Sequence, residues 1–234
     1  MAEAVTETVH KYLSNLLQNQ ESVRAILATG NSQIAFLKAL AQKGGIDWSR
    51  VTLFHMDEYL GIDATHPASF RHYMKTKVED VMHPGAFHYL EGDALEPINE
   101  CDRYETLLKE KPVDLCCMGV GENGHIAFND PPVANYSDKR WVKLVLLDDE
   151  CKMQQVNEGH FPSLESVPKY ALTLTIPALL SASKVVCVAP ETRKMKAVKT
   201  ALSEPVGSHC PASFLRTAPN ATLYLDEDSA AGLL

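Results

Sequence analysis

Long apolar runs are missing from this sequence: none approaches the ~20 residues that a bilayer span requires, so no membrane partner is expected. The N-terminus, Met1-Ala2-Glu3-Ala4 followed by a polar, helical-looking segment, lacks the basic stretch and apolar core of a secretory leader. A cytoplasmic protein is the expectation. Paired cysteines are missing as well: Cys101, Cys116, Cys117, Cys151, Cys187 and Cys210 include no CxxC, so neither a disulfide scaffold nor a metal site is expected and the thiols should be reduced. Positive charge is scarce. With 22 Lys and Arg against 30 Asp and Glu the net charge is -8, which excludes nucleic acid and anionic membrane surfaces, since both demand clustered cations. An anionic ligand must therefore be captured by local groups. No repeat, low-complexity tract or linker-like shift in composition divides the chain, and one domain over 1–234 is expected.

What is present is ordinary globular material, 45% hydrophobic and 22% charged, enough to build a core without staples. Apolar runs bounded by turn residues recur at 24–28, 51–55, 113–120, 141–147, 170–176, 184–189 and 221–225 and read as strands. Segments with helical spacing lie between most of them, at 33–42, 69–81, 98–109 and 192–202. Strands alternating with helices define an α/β fold, doubly wound, with a largely parallel sheet flanked by helices. Cys116 and Cys117 sit within one apolar run and, on a strand, face opposite sides as core residues. Ligand sites in such sheets form at the carboxyl ends of strands.

Three strand ends stand out. Ala28-Thr29-Gly30-Asn31-Ser32-Gln33 is a small polar turn entering a helix; it reads either as a cap through Asn31 or Ser32, or as an anion site built from free amides and the Thr29 and Ser32 hydroxyls. The P-loop spacing is absent. At Phe54-His55-Met56-Asp57-Glu58 a hydrophobic strand runs into two adjacent acids. On an extended chain these point different ways, so one can face the cleft as a general base while the other braces the structure; a solvated acid pair or a cap is the alternative. His55 reads as a packed strand residue. The third strand end, Met118-Gly119-Val120-Gly121-Glu122-Asn123-Gly124-His125, formally satisfies GxGxxG, yet Pro131 and Pro132 stop the helix that a dinucleotide fingerprint needs, and Lys143 stands where the ribose-binding acid would be expected. A glycine-rich loop presenting His125 and, five residues later, Asp130 suggests a base oriented by an acid, with a buried structural histidine as the alternative.

Taken in order, these strand ends closely resemble the glucosamine-6-phosphate deaminase family, from the first strand to the C-terminus. The family's MDEY followed by Gly appears as Met56-Asp57-Glu58-Tyr59-Leu60-Gly61, and its G-x-G-x-D-G-H-I-A-F-N-E-P appears across 119–131 with two substitutions. Val167-Pro168-Lys169-Tyr170-Ala171-Leu172-Thr173 and Lys194, after the strand at 185–189, match as well. The resemblance implies a hydrolase of amino-sugar metabolism, such as N-acetylglucosamine catabolism, acting on a small sugar phosphate without a cofactor by isomerisation coupled to loss of ammonia. By similarity His125 assists opening of the sugar ring, Asn123 and Asp130 support it, and Asp57 carries a proton from C2 to C1. Thr29, Gly30, Asn31, Ser32 and Lys194 would hold the phosphate, and Glu58 is grouped with them as a substrate-side residue.

The two substitutions are Asn123 in place of Asp and Asp130 in place of Glu. Asn cannot ionise, so at that position only hydrogen bonding remains, and Asp130 must sit about a methylene closer to orient His125. The arginine that the family places near the phosphate has no counterpart in Cys151-Lys152-Met153-Gln154-Gln155-Val156, where Lys152 is the substitute, without a planar fork. Deamination of galactosamine 6-phosphate is therefore an alternative. A 6-phosphogluconolactonase shares the fold and a Gly-His loop, but its loop usually continues as a Thr-Ala-Ser type sequence, unlike Ile126-Ala127-Phe128-Asn129. A sugar-phosphate sensor without turnover is the non-enzymatic alternative; the titratable Asp57, His125 and Asp130 stand against it. The chain ends at Leu234, soon after the last strand, as in shorter family members, so the extension that helps build an allosteric hexamer is not expected; monomer or homo-oligomer stays undetermined.

Overall fold

The computed structural model describes residues 1–233. Its strands are β1 (Val23–Leu27), β2 (Val51–His55), β3 (Asp57–Tyr59), β4 (Ala86–His88), β5 (Leu115–Gly119), β6 (Val142–Leu146), β7 (Tyr170–Leu174), β8 (Lys184–Ala189) and β9 (Ala221–Leu225). Six of them form one sheet in the order β4-β2-β1-β5-β8-β9, and every pairing in it is parallel. Both faces of its central strands are buried, as a parallel sheet requires. Ile26, Phe54, Cys116, Met118, Val185 and Cys187 pack on one side. Ala25, Leu27, Leu53, Leu115, Cys117 and Val186 pack on the other, so Cys116 and Cys117 do face opposite layers. All six cysteines are free and buried.

Segments 141–147 and 170–176, expected in the parallel sheet, instead build a second, antiparallel sheet in the order β3-β7-β6. The reason is visible in β6: Lys143 and Leu144 are half-buried and Leu146 is exposed, which suits a sheet with one wetted face and not the interior of a parallel one. The short strands β3 and β4 were not anticipated. The chain passes from β2 through Met56 directly into β3, whose Asp57 lies opposite Thr173 of β7, so Asp57 stands at the junction of the two sheets.

Helices follow the expected segments with shifted ends. The helix expected at 33–42 begins at the turn itself, Asn31–Lys43. That expected at 69–81 starts as Phe70–Met74 under a Ser69 cap and continues through a π-helical turn, Lys75–Glu79. That expected at 192–202 is a 3-10 turn, Thr192–Lys194, running into Met195–Ser203. No helix among the described residues is long and apolar enough to cross a membrane. Because Leu27 is in register with both His55 and Cys117, and Gly119 with Val188, the turns after β1, β2, β5 and β8 emerge side by side on the carboxyl edge.

Candidate active site

The turn after β1 becomes a helix start with nothing to cap it. Gly30 has φ 97°, a conformation that glycine takes at little cost, and no side chain accepts from the first amides of Asn31–Lys43. Gln33, fully buried, ties the helix to β5 by donating to the Met118 carbonyl. Thr29, Gly30, Asn31 and Ser32 line one cleft together with Lys194. Lys194 is only 3% exposed, yet its ammonium has no hydrogen bond or ion pair among the described residues. Burial, then the neighbouring Arg193 charge, hold its pKa below the usual lysine value. A desolvated cation without a partner, beside free amides and the positive end of a helix dipole, is an arrangement whose chemistry suits an anion.

The acid pair after β2 divides as its extended backbone demands. Asp57 faces the cleft, where burial and then the Glu58 charge push its carboxyl well above the usual aspartate range. Glu58 points the other way and is fully buried. Its carboxylate accepts from the amides of Tyr59, Phe70 and Arg71 and from the Ser69 hydroxyl, with Arg71 Nε 3.4 Å away. Glu58 therefore does not reach a ligand in the cleft; it braces the loop and helix start at 69–71, which corrects its expected place among the substrate-side residues. Burial raises its pKa even so, against these bonds. His55 lies outside the cleft, its Nε2 accepting from the Leu90 amide, and burial takes its pKa down to about 3.

The loop after β5 carries the histidine. His125 Nδ1 lies 2.8 Å from Asn123 Oδ1 and 3.0 Å from Asp130 Oδ1, and the Asn123 amide nitrogen donates to that same Asp130 oxygen at 3.0 Å. Two acceptors at Nδ1 place the proton there and leave Nε2 as the basic nitrogen of the neutral ring. Asp130 is fully buried; burial opposes its charge, but the His125 charge and the bonds from His125, Asn123 and Asp148 leave its pKa lowered. The loop must carry glycine at 121, because a Cβ there would fall 2.2 Å from the His125 ring. His125, Asp130 and Cys151 bring ligand-type atoms within 4.8 Å of one another, but Nδ1 is already committed to Asn123 and Asp130, and the cluster is better described as a hydrogen-bonded network.

The cleft also contains residues that were not anticipated: Gln154, Gln155, Glu158, His160 and Arg193. Arg193 pairs with Glu191, Glu158 and Glu122, while Gln154 donates to Glu158 and accepts from the Glu122 amide. Burial works against the Glu158 charge, but His160, Arg193 and Gln154 hold its pKa down to about 2. Lys152, expected near the anion, instead pairs with Asp149 outside the cleft. A signal for Arg193 was available in its adjacency to Lys194; none was for Glu158, whose partner Arg193 lies 35 residues away and whose other partners, Gln154 and His160, lie within a turn of it.

The fold is that of a doubly wound α/β protein, and its cleft gathers open amides, Lys194, Asp57 and His125 on one sheet edge. The chain belongs to the glucosamine-6-phosphate isomerase/6-phosphogluconolactonase family, whose model matches residues 1–224. It is 32% identical to a glucosamine-6-phosphate deaminase of Bacillus cytotoxicus over 227 residues, 97% of this chain and 84% of the relative. It is 30% identical to one of Exiguobacterium sibiricum over 231 residues, covering 98% and 89%. A solved monomeric glucosamine-6-phosphate deaminase superposes with a TM-score of 0.86 at 26% identity, covering 99% of this chain and 97% of that one. A 6-phosphogluconolactonase of Thermotoga maritima superposes at 0.77 with 20% identity over 96% and 94%, a likeness of fold alone.

Proposed function

We propose that this protein converts glucosamine 6-phosphate and water into fructose 6-phosphate and ammonia. The observation that carries the reading is that Asp57 and His125 line one cleft in complementary states. Asp57 is a desolvated carboxyl whose pKa is not brought down by any hydrogen bond, and His125 has its proton held on Nδ1. The Asn31 and Ser32 amides and Lys194 hold the phosphate. Nε2 of His125 takes the proton of the anomeric hydroxyl and returns it to the ring oxygen as the ring C–O bond breaks, and Asp130 beside Nδ1 stabilises the imidazolium that forms between the two transfers. Asp57 removes the C2 proton to give an enolamine and returns it to C1, leaving an imine at C2. Water adds to that carbon, and ammonia departs as the ketone forms.

The names of the relatives and the Ile126-Ala127-Phe128-Asn129 continuation of the loop favour this over lactone hydrolysis. Ammonia release coupled to fructose 6-phosphate detection, with glucosamine 6-phosphate and galactosamine 6-phosphate in parallel, tests it. Turnover of the first supports the proposal, turnover of only the second replaces it with the epimeric substrate, and silence with both overturns it.

A further inference from the structure

Lys194 is not the sole cation at the anion end of the cleft. Arg193 lines it too, on a turn built with some strain. Glu191 has φ 77°, and its amide donates to both oxygens of Asp226, at 3.2 and 3.0 Å. The guanidinium is then fixed edge by edge. Nε donates to Glu191 at 2.6 Å, and Nη1 to Glu158 at 2.7 Å and Glu122 at 3.3 Å. Nη2 has no partner among the described residues. The three carboxylates do not make this region hostile to an anion. Glu122 and Glu191 are 36% and 50% exposed and so are screened by water, and the buried charge of Glu158 is offset by Arg193 itself.

We propose that Arg193 is the second cation for the substrate's phosphoryl group, presenting Nη2 from the turn after β8 while Glu158 and Glu191 hold the plane of the guanidinium. This rests on the phosphate reading of the cleft given above. A rigid fork loses little freedom on binding, which suits it to an oxyanion better than a lysine at the same place.

Titration calorimetry with inorganic phosphate tests the assignment on the wild type, Lys194→Gln, Arg193→Gln and the double variant Arg193→Gln/Glu158→Gln. Arg193→Gln should weaken phosphate about tenfold or more, the usual size of a charge-assisted hydrogen bond. The double variant separates contact from charge balance: if Arg193 touches the anion, removing Glu158 as well leaves binding weak. Wild-type affinity in Arg193→Gln, or its return in the double variant, overturns the proposal. Loss of binding in Lys194→Gln together with unchanged binding in Arg193→Gln would sink this inference alone, whereas a wild type that binds no phosphate would remove the anion pocket itself. If Arg193→Gln does not fold, Arg193→Lys carries the test: it keeps a charge for Glu158, a several-fold loss is expected because one ammonium cannot also serve the phosphate, and unchanged affinity overturns the assignment.

Discussion

His125 and Asp130 are joined by a 3.0 Å contact between Nδ1 and Oδ1, and Asn123 completes the triangle by accepting from the histidine and donating to the aspartate. The shorter Asp130 thus reaches the ring directly, so an imidazolium formed there would gain its counter-charge from Asp130, to which Asn123 donates. Replacing Asn123 with aspartate would remove that donor and set two carboxylates against each other. Asn123→Asp should therefore destabilise the fold by roughly 1–3 kcal/mol near neutral pH. The loss should shrink as pH falls and one acid of the pair takes up a proton. Thermal unfolding across pH checks this; a stabilised variant would contradict it.

Asp57→Asn should abolish exchange of the C2 proton with solvent while inorganic phosphate still binds, with turnover down by roughly 10²–10⁴-fold, the usual weight of a general base. Exchange followed by NMR in deuterated buffer decides, and retained exchange would take Asp57 out of its role.

The raised pKa of Asp57 also bears on stability. The folded state holds this proton more tightly than the unfolded one, so wild-type stability falls as pH rises from the ordinary aspartate value, about 4, through the raised one. Asp57→Asn escapes that cost. It should melt higher than wild type at neutral pH, and the gap should close in acid. The acid limb of the wild-type rate profile should likewise lie above the usual carboxylate range, since the base must be ionised to act.

Glu58→Ala removes the acceptor of four hydrogen bonds from 59 and 69–71 and leaves those donors buried. A cost of roughly 2–4 kcal/mol is expected in urea unfolding. A shift of under about 0.5 kcal/mol, the scale of an ordinary surface substitution, would show the brace to be dispensable.

Lys194→Gln should lose most of the affinity for inorganic phosphate, because it deletes the buried, partner-free ammonium. Lys152→Gln should leave that affinity unchanged, because Lys152 pairs with Asp149 instead. The reverse order of effects would move the anion site.

The parts of this protein that could be read from its sequence are those whose chemistry is local to one strand end. The Gly30 turn, the divergence of Asp57 and Glu58, and the burial of His55 follow from backbone periodicity and from where a parallel sheet opens. The distribution of strands between two sheets was not readable, because β6 and β7 have the same apolar character as their parallel counterparts and only their partners differ. Glu58 could be assigned to a brace only once the helix start at 69–71 was in view. The Glu158–Arg193 pair spans 35 residues of sequence and becomes visible only when the turns after β8 and Asp149–Asn157 meet.

The helix Asn31–Lys43 begins without a side-chain cap, and the amides left open there are those that line the cleft. An anion bound there would finish a secondary-structure element that the chain leaves incomplete, and by mass action it would add to folding free energy as well as to occupancy. A ligand that occupies those amides would then bear on how often each molecule opens as well as on whether its cleft is filled, so that its supply and the lifetime of the fold would rise and fall together.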